Sequence, residues 1–373
     1  MKKLVTILAV VFASSLLSFF MGEFVLRQIY EFPQPQFLTI DPIVGHRLRP
    51  NIEGYYTREG FGFIQINRHG FRDREYQIEN NQKKRIAVLG DSFAEALQVN
   101  LEETFHELLE LEFEEAVEVL NFGVSGYGTA QELLTYINFV RKFKPDIVVL
   151  AFYPGNDIAD NHKGLSEGYP RPYYSDSQAG LVLDESFQTS SRHLRSKWVY
   201  DIYYFLTDHS IVFALLDQLR YNKGFHGASV NKKEEVSGKD GSKDSDIHSD
   251  IVYAPKSKVE VTAWLITERL IVELAREVEK DGAEFVLFVL DSMPSQLTKT
   301  NNRYYVEDRL GELSQTHALH FTAMASVAID YYETTGNPLH GFTGGNEGHW
   351  NQEGHRIAYQ VLRMFLIDNK LIP

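Results

Sequence analysis

The first sustained pattern along the chain is an uninterrupted apolar one. Leu4 to Gly22 is a run of 19 residues without a charge, preceded by Lys2-Lys3. At 1.5 Å per residue it makes about 28 Å of helix, close to the hydrocarbon thickness of a bilayer. It predicts a transmembrane anchor over residues 1–22, with the basic end cytoplasmic and everything after Glu23 outside. The competing reading is a cleaved signal peptide, with Ala13-Ser14-Ser15 near the cut. Leu16, Leu17, Phe19 and Phe20 carry the apolar run beyond an ordinary h-region, which favours the anchor.

The pattern then turns mixed. Residues 23–82 read as a juxtamembrane segment whose prolines (Pro33, Pro35, Pro42, Pro50) keep its first part extended. Phe61 to Phe71 alternates apolar and polar positions like a strand followed by a glycine turn, and Glu79 to Gln82 is a polar break. From Arg85 short apolar runs of strand length appear: Ile86–Leu89, Val117–Phe122, Ile147–Phe152 and Phe285–Leu290. Helical stretches lie between and after them, at Thr129–Phe143, Val261–Lys280 and a last helix from Asn351 to Asp368. This alternation predicts an α/β domain over 83–373, a three-layer α/β/α arrangement with a central parallel sheet covered on both faces. An insertion at 162–255 interrupts it. That insertion holds an aromatic-rich helical piece around Trp198–Leu219 and a stretch, 223–250, whose Gly, Ser, Asp and Lys content predicts a disordered loop.

Composition narrows the chemistry. The formal charge is −14, and the only charges in the first 22 residues are positive, so the body of the chain is more acidic still. Such a surface gains nothing from counterion release and argues against nucleic acid as a partner. With no cysteine there are no disulfides, no thiolate catalysis and no cysteine-based zinc site. Aromatics at 13% suit stacking on sugars or apolar groups and suit plain core packing equally well.

Four short clusters follow an apolar strand or precede a helix, where side chains reach the cleft at the carboxyl edge of a parallel sheet. Gly90-Asp91-Ser92 follows Ile86–Leu89; its serine hydroxyl would enter the cleft with the backbone N–H turned toward an anion, unless Asp91 or Ser92 merely caps the next helix. Asn121 to Gly126 follows Val117–Phe122 and is either a close backbone approach to a ligand or a simple turn. Gly155-Asn156-Asp157 follows Ile147–Phe152; Asn156 can donate to a developing oxyanion or cap a helix. Glu347-Gly348-His349 precedes the last helix, and a carboxylate two residues upstream can hold His349 in the tautomer that accepts a serine proton. His355, within the first turns of that helix, reads as structural.

In this order and at these separations the clusters resemble the SGNH (GDSL-type) hydrolase superfamily, over residues 84–160 and 255–370. Asp41 to Arg74 is also similar to the lead-in of membrane-anchored bacterial members. The resemblance implies an SGNH/flavodoxin-like fold, Ser92 as nucleophile and His349 as general base. It implies an oxyanion hole from the N–H groups of Ser92 and Gly126 and the Asn156 amide. No cofactor is implied. The family's acid is usually an aspartate two or three residues before the histidine; here Glu347 and Asn346 stand there, which makes Glu347 the candidate. The implied substrate is an acyl ester, an acetyl ester of cell-envelope or exported carbohydrate, hydrolysed or transferred through an acyl-serine. The implied setting is the inner membrane, single-pass, with the catalytic domain periplasmic. Two other readings remain: a non-catalytic carbohydrate-binding or assembly protein on the same fold, and a metal-dependent phosphoesterase using Asp91, Asp157, His162 and His349.

Overall fold

A computed structural model describes the chain except residues 1, 31–34, 80–82, 167–169, 178–179, 220–251, 293–301 and 343–347. The predicted disordered loop 223–250 and the candidate Glu347 both lie outside the described residues.

Four of the five strands of the central sheet form where the apolar runs stand. They are β5 (Lys84–Gly90), β6 (Val117–Asn121), β7 (Ile147–Phe152) and β10 (Glu284–Val289). The fifth, β11 (His320–Ala323), has four half-buried residues and no apolar run to announce it. All pairings are parallel, in the order β11-β10-β7-β5-β6. β6 and β7 are buried throughout and β5 from its second residue on, as strands covered on both faces should be. This is the expected three-layer α/β/α architecture.

Before β5 come two antiparallel hairpins, β1–β2 (Leu38–Asp41 with Gly45–Leu48) and β3–β4 (Ile52–Tyr56 with Gly62–Ile66). The predicted strand at Phe61–Phe71 is β4 plus the turn Asn67 to Gly70, closed by Asn67 Oδ1 accepting from the N–H groups of His69 and Phe71. The insertion contributes a third hairpin, β8–β9 (Tyr173–Ser177 with Gly180–Asp184).

Helix α1 is Lys2–Ile29, and among the described residues it holds the one stretch, Lys3–Ile29, long and apolar enough to cross a membrane. The helices that concern the sheet edge are α2 (Ser92–Glu95), α3 (Phe105–Glu112), α4 (Thr129–Thr135) and α5 (Asp157–Asp160). The insertion adds α6 (Ser191–His209) and α7 (residues 211–219). Then follow α8 (Lys258–Lys280), α9 (Tyr305–His317), α10 (Ala325–Thr335) and α11 (Gln352–Asp368). Asn351 starts α11 by accepting from the N–H groups of Glu353 and Gly354, so the last cluster ends on a helix cap.

The chain forms two compact units, residues 38–194 with 242–373, and residues 1–37 with 195–241. The first contains the sheet and all four clusters; the second contains α1, most of α6 and α7.

Candidate active site

Ser92 sits at the strand-to-helix turn after β5, as its first helical residue. Asp91 caps that helix, Oδ1 accepting from Phe93 N–H at 2.9 Å. Asp91 as helix cap and Ser92 as a projecting hydroxyl are therefore both true.

The hydroxyl meets an imidazole. His349 Nε2 lies 2.8 Å from Ser92 Oγ although 257 positions separate them in the chain. The other ring nitrogen, Nδ1, lies 2.5 Å from Oε2 of Glu59, whose Oε1 accepts from the His349 backbone N–H at 2.5 Å. With Nδ1–H donating to the carboxylate, Nε2 presents its lone pair to the serine hydroxyl. Burial pushes the Glu59 carboxyl up, but hydrogen bonds and charge from His349 outweigh it and hold it below its ordinary value. The sequence reading missed Glu59. It stands in the β3–β4 turn, 33 residues before Ser92, inside the lead-in stretch Asp41 to Arg74 but in none of the four clusters, and no neighbouring residue marks it.

What brings it there is packing of the lead-in segment on α2. A Cβ on Gly60 or Gly62 would collide with the backbone carbonyls of Gln98 and Val99, so the hairpin lies directly against the chain leaving α2. Phe63 N–H donates to Asn100 Oδ1 at 3.0 Å. Buried Arg72 donates to the carbonyls of Glu95, Ala96 and Val99 at 2.9, 2.7 and 2.6 Å. Asp73 accepts from Asn121 N–H at the end of β6. Arg72-Asp73 thus ties the lead-in both to the chain leaving α2 and to the end of β6.

His349 is held from its other neighbours too. Asp291, the second residue after β10, accepts from Trp350 Nε1 at 2.8 Å and faces His340 Nε2 at 2.8 Å. His340 Nδ1 faces the Gly348 carbonyl at 2.8 Å. A ring with acceptors on both nitrogens wants both protons, and His340 is raised above its ordinary 6.5: burial lowers it, and the Asp291 charge and hydrogen bond outweigh that. Asp291 also escaped the sequence reading, although a residue just beyond Leu290 occupies the same sheet-edge position as Ser92 and Asn156; that signal was available.

A pH prediction follows from this pair. A histidine raised in the folded state stabilises fully below its unfolded pKa and loses that contribution as pH rises through the folded value. Tm against pH should therefore fall on the alkaline side of 6.5 in the parent. Asp291→Ala should remove that limb and cost about 3–5 kcal/mol, because a buried charge is left without its partner.

Phe93 packs against this cluster, its ring centroid 5.1 Å from His349, 4.9 Å from Trp350 and 4.1 Å from Tyr153. The loop after β6 lies against α2. Val124 N–H donates to the Gly90 carbonyl at 3.1 Å, and Ser125 gives both its N–H and its hydroxyl to Glu95. Gly126, with φ +75°, closes that loop. Asn156 immediately precedes α5 at the end of β7, beside the Asp91 carboxyl, whose ionised form its side chain favours. The structure thus gathers Ser92, His349, the Gly126 loop and Asn156 at one sheet edge.

Carboxyls buried around this edge are pushed upward by desolvation: Asp91 to about 6, Glu95 to about 8, and Glu132 and Asp157 well above the usual range. Carboxyls raised in this way hold their protons to higher pH than free ones and so add less negative charge to this edge. His355 is fully buried against Phe105 and lowered to about 3 by burial, in keeping with a structural role. His162 lies in the turn after α5, Nδ1 accepting from Gly164 N–H. Among the described residues no three His, Asp or Glu side chains group as metal ligands.

No family model and no curated protein matches the chain. Solved structures similar to it include an acetyl xylan esterase, 11% identical with a TM-score of 0.40, the match covering 75% of this chain and 98% of that one. An acetylxylan esterase from Geobacillus stearothermophilus, solved as a catalytic mutant, is 11% identical with a TM-score of 0.39, over 76% and 94%. A GDSL-like lipase from Bacteroides thetaiotaomicron is 11% identical with a TM-score of 0.37, over 79% and 93%.

Proposed function

We propose that this SGNH-type chain is a serine ester hydrolase whose triad is Ser92, His349 and Glu59. The observation that carries the reading is the continuous chain of contacts from Glu59 Oε2 through both imidazole nitrogens to Ser92 Oγ. In the cycle His349 Nε2 takes the serine proton as Oγ adds to the ester carbonyl. Glu59 stabilises the imidazolium that forms, and the proton then passes to the departing alcohol. The oxyanion is assigned to the N–H groups of Ser92 and Gly126 and to the Asn156 amide. Water releases the acyl group from Ser92; a sugar hydroxyl in its place would make the enzyme a transferase. The substrate class is an acyl ester, with acetyl groups on envelope or exported carbohydrate as the finer assignment.

The same reading makes α1 a single membrane span. Lys2-Lys3 marks the cytoplasmic end, so the catalytic unit faces the periplasm. The non-catalytic alternative draws on the unusual acid; a glutamate on His349 Nδ1 weighs against it.

A fluorophosphonate probe applied to the full chain should label Ser92 and be blocked in Ser92→Ala. An unlabelled parent that is folded and binds acylated polysaccharide would favour the alternative. Asn156→Ala should lower kcat on acetyl esters by about 10²–10³ with labelling retained, the usual loss for one oxyanion donor. Gly348 supplies a third test. Its φ is +91°, and a Cβ there would strike Glu59 Oε1. Gly348→Ala should cost about 10² in kcat by displacing carboxylate and ring, with far-UV circular dichroism unchanged.

A further inference from the structure

The unit containing α1 carries apolar surface that the hydrolase reading does not use. Trp198, Ile202 and Phe205 stand at i, i+4 and i+7 of α6, one exposed stripe. Phe213, Leu216 and Leu219 of α7 are exposed as well. Trp198 is 69% exposed, which is unusual for the largest side chain.

The contacts of α1 say at what height this surface lies. Glu23 is the first charge after the apolar run, and its carboxylate accepts from Ser210 Oγ and from the N–H groups of Ile211 and Val212, so it caps the start of α7. Arg27 donates to the His209 carbonyl at the end of α6 at 2.8 Å. Four residues before Glu23, about 6 Å further into the apolar run, Phe19 meets Phe213 with ring centroids 5.9 Å apart. The α6–α7 turn is therefore fastened where the apolar run ends, and Phe213 reaches below that level. Asp201 and Asp208 flank the α6 stripe, and the sequence entering it carries Arg192, Arg195 and Lys197. Exposed apolar and aromatic side chains at the level where a membrane-spanning run ends are what the headgroup–acyl boundary receives.

We propose that α6 and α7 form an interfacial hairpin lying in the headgroup–acyl boundary of the bilayer that α1 spans, with lipid as the occupant of the exposed stripe. The inference rests on α1 being a membrane span. The hairpin adds a second, lateral attachment to the single helix.

Tryptophan emission tests it, because the other two tryptophans, Trp264 and Trp350, are fully buried. The full chain is reconstituted in phosphatidylcholine vesicles whose acyl chains carry bromine near the carbonyl end. The expected result is a blue-shifted Trp198 component, quenched by the brominated lipid and untouched by aqueous iodide. That component should be absent from Trp198→Phe. Iodide quenching without lipid quenching would overturn the proposal, since the stripe would then face water. Protection from both quenchers would overturn it in favour of a protein partner or a second copy. Retention of the chain in vesicles after an alkaline carbonate wash checks the span separately. A chain washed out fails the anchor reading, whereas a chain retained with iodide-accessible Trp198 fails only the hairpin.

Discussion

Ser92→Ala lowers kcat on short acyl esters by about 10⁴–10⁶, the range seen when the nucleophile of a serine triad is removed. The size follows from what the hydroxyl does. Without Oγ there is no acyl-enzyme, and only the remaining donors and substrate positioning assist attack by water. Stability should hardly change, since Ser92 is half-buried at the rim of the cleft and the helix cap belongs to Asp91. Purified variant and parent, compared by acetate release and by thermal melting, separate loss of chemistry from loss of fold. A variant with parental turnover would remove Ser92 from the mechanism.

Glu59→Gln lowers kcat by about 10³–10⁴ with KM little changed, the loss expected when the group that sets the imidazole tautomer goes neutral. Glutamate accepts two hydrogen bonds from residue 349, one from the backbone N–H and one from Nδ1–H. Glutamine has one oxygen and one NH₂ to offer to the same two donors. With its NH₂ toward the ring, Nδ1 must be the acceptor and the proton moves to Nε2, where the ring cannot take one from Ser92. The parallel variant Glu347→Gln keeps kcat near the parent value. The pair of measurements decides which carboxylate serves His349, and the reverse outcome would restore Glu347. The acid limb gives an independent readout. Because Glu59 is held below its ordinary 4.5, its stabilising contribution is complete above the unfolded value and is lost only as pH falls through the folded one. The glutamine variant lacks that limb in a Tm–pH profile.

Periodicity was enough for much of this protein. Four of the five sheet strands follow from apolar runs whose ends lie within two residues of the observed ones, because a strand buried on both faces has little choice but to be apolar. The edge strand β11, half-buried along its length, carries no such mark. The short hairpins β1–β2 and β8–β9 escaped for the same reason: their residues alternate weakly and their pairing is settled by what they pack against. Ser92, Asn156 and His349 stood out as candidates because each adjoins an element that the pattern reveals, and the resemblance to the SGNH hydrolases supplied their roles. Asp291 obeys the same rule, two residues beyond the end of β10.

Glu59 belongs to a different class. A glutamate in a turn has no periodic partner and no motif, and its closeness to His349 arises across 290 positions. It depends on Gly60 and Gly62 admitting the backbone beyond α2, on Arg72 gathering three carbonyls there, and on Gly348 leaving room for the carboxylate. Composition and apolar spacing dictated the anchor-like helix and the layered sheet, since burial and sheet geometry act on every residue locally, while the pairing of Ser92 with His349 was implied by the resemblance to the SGNH hydrolases. Which acid completes the pair was left to long-range packing, because a hydrogen bond between distant loops exists only once the core has brought them together.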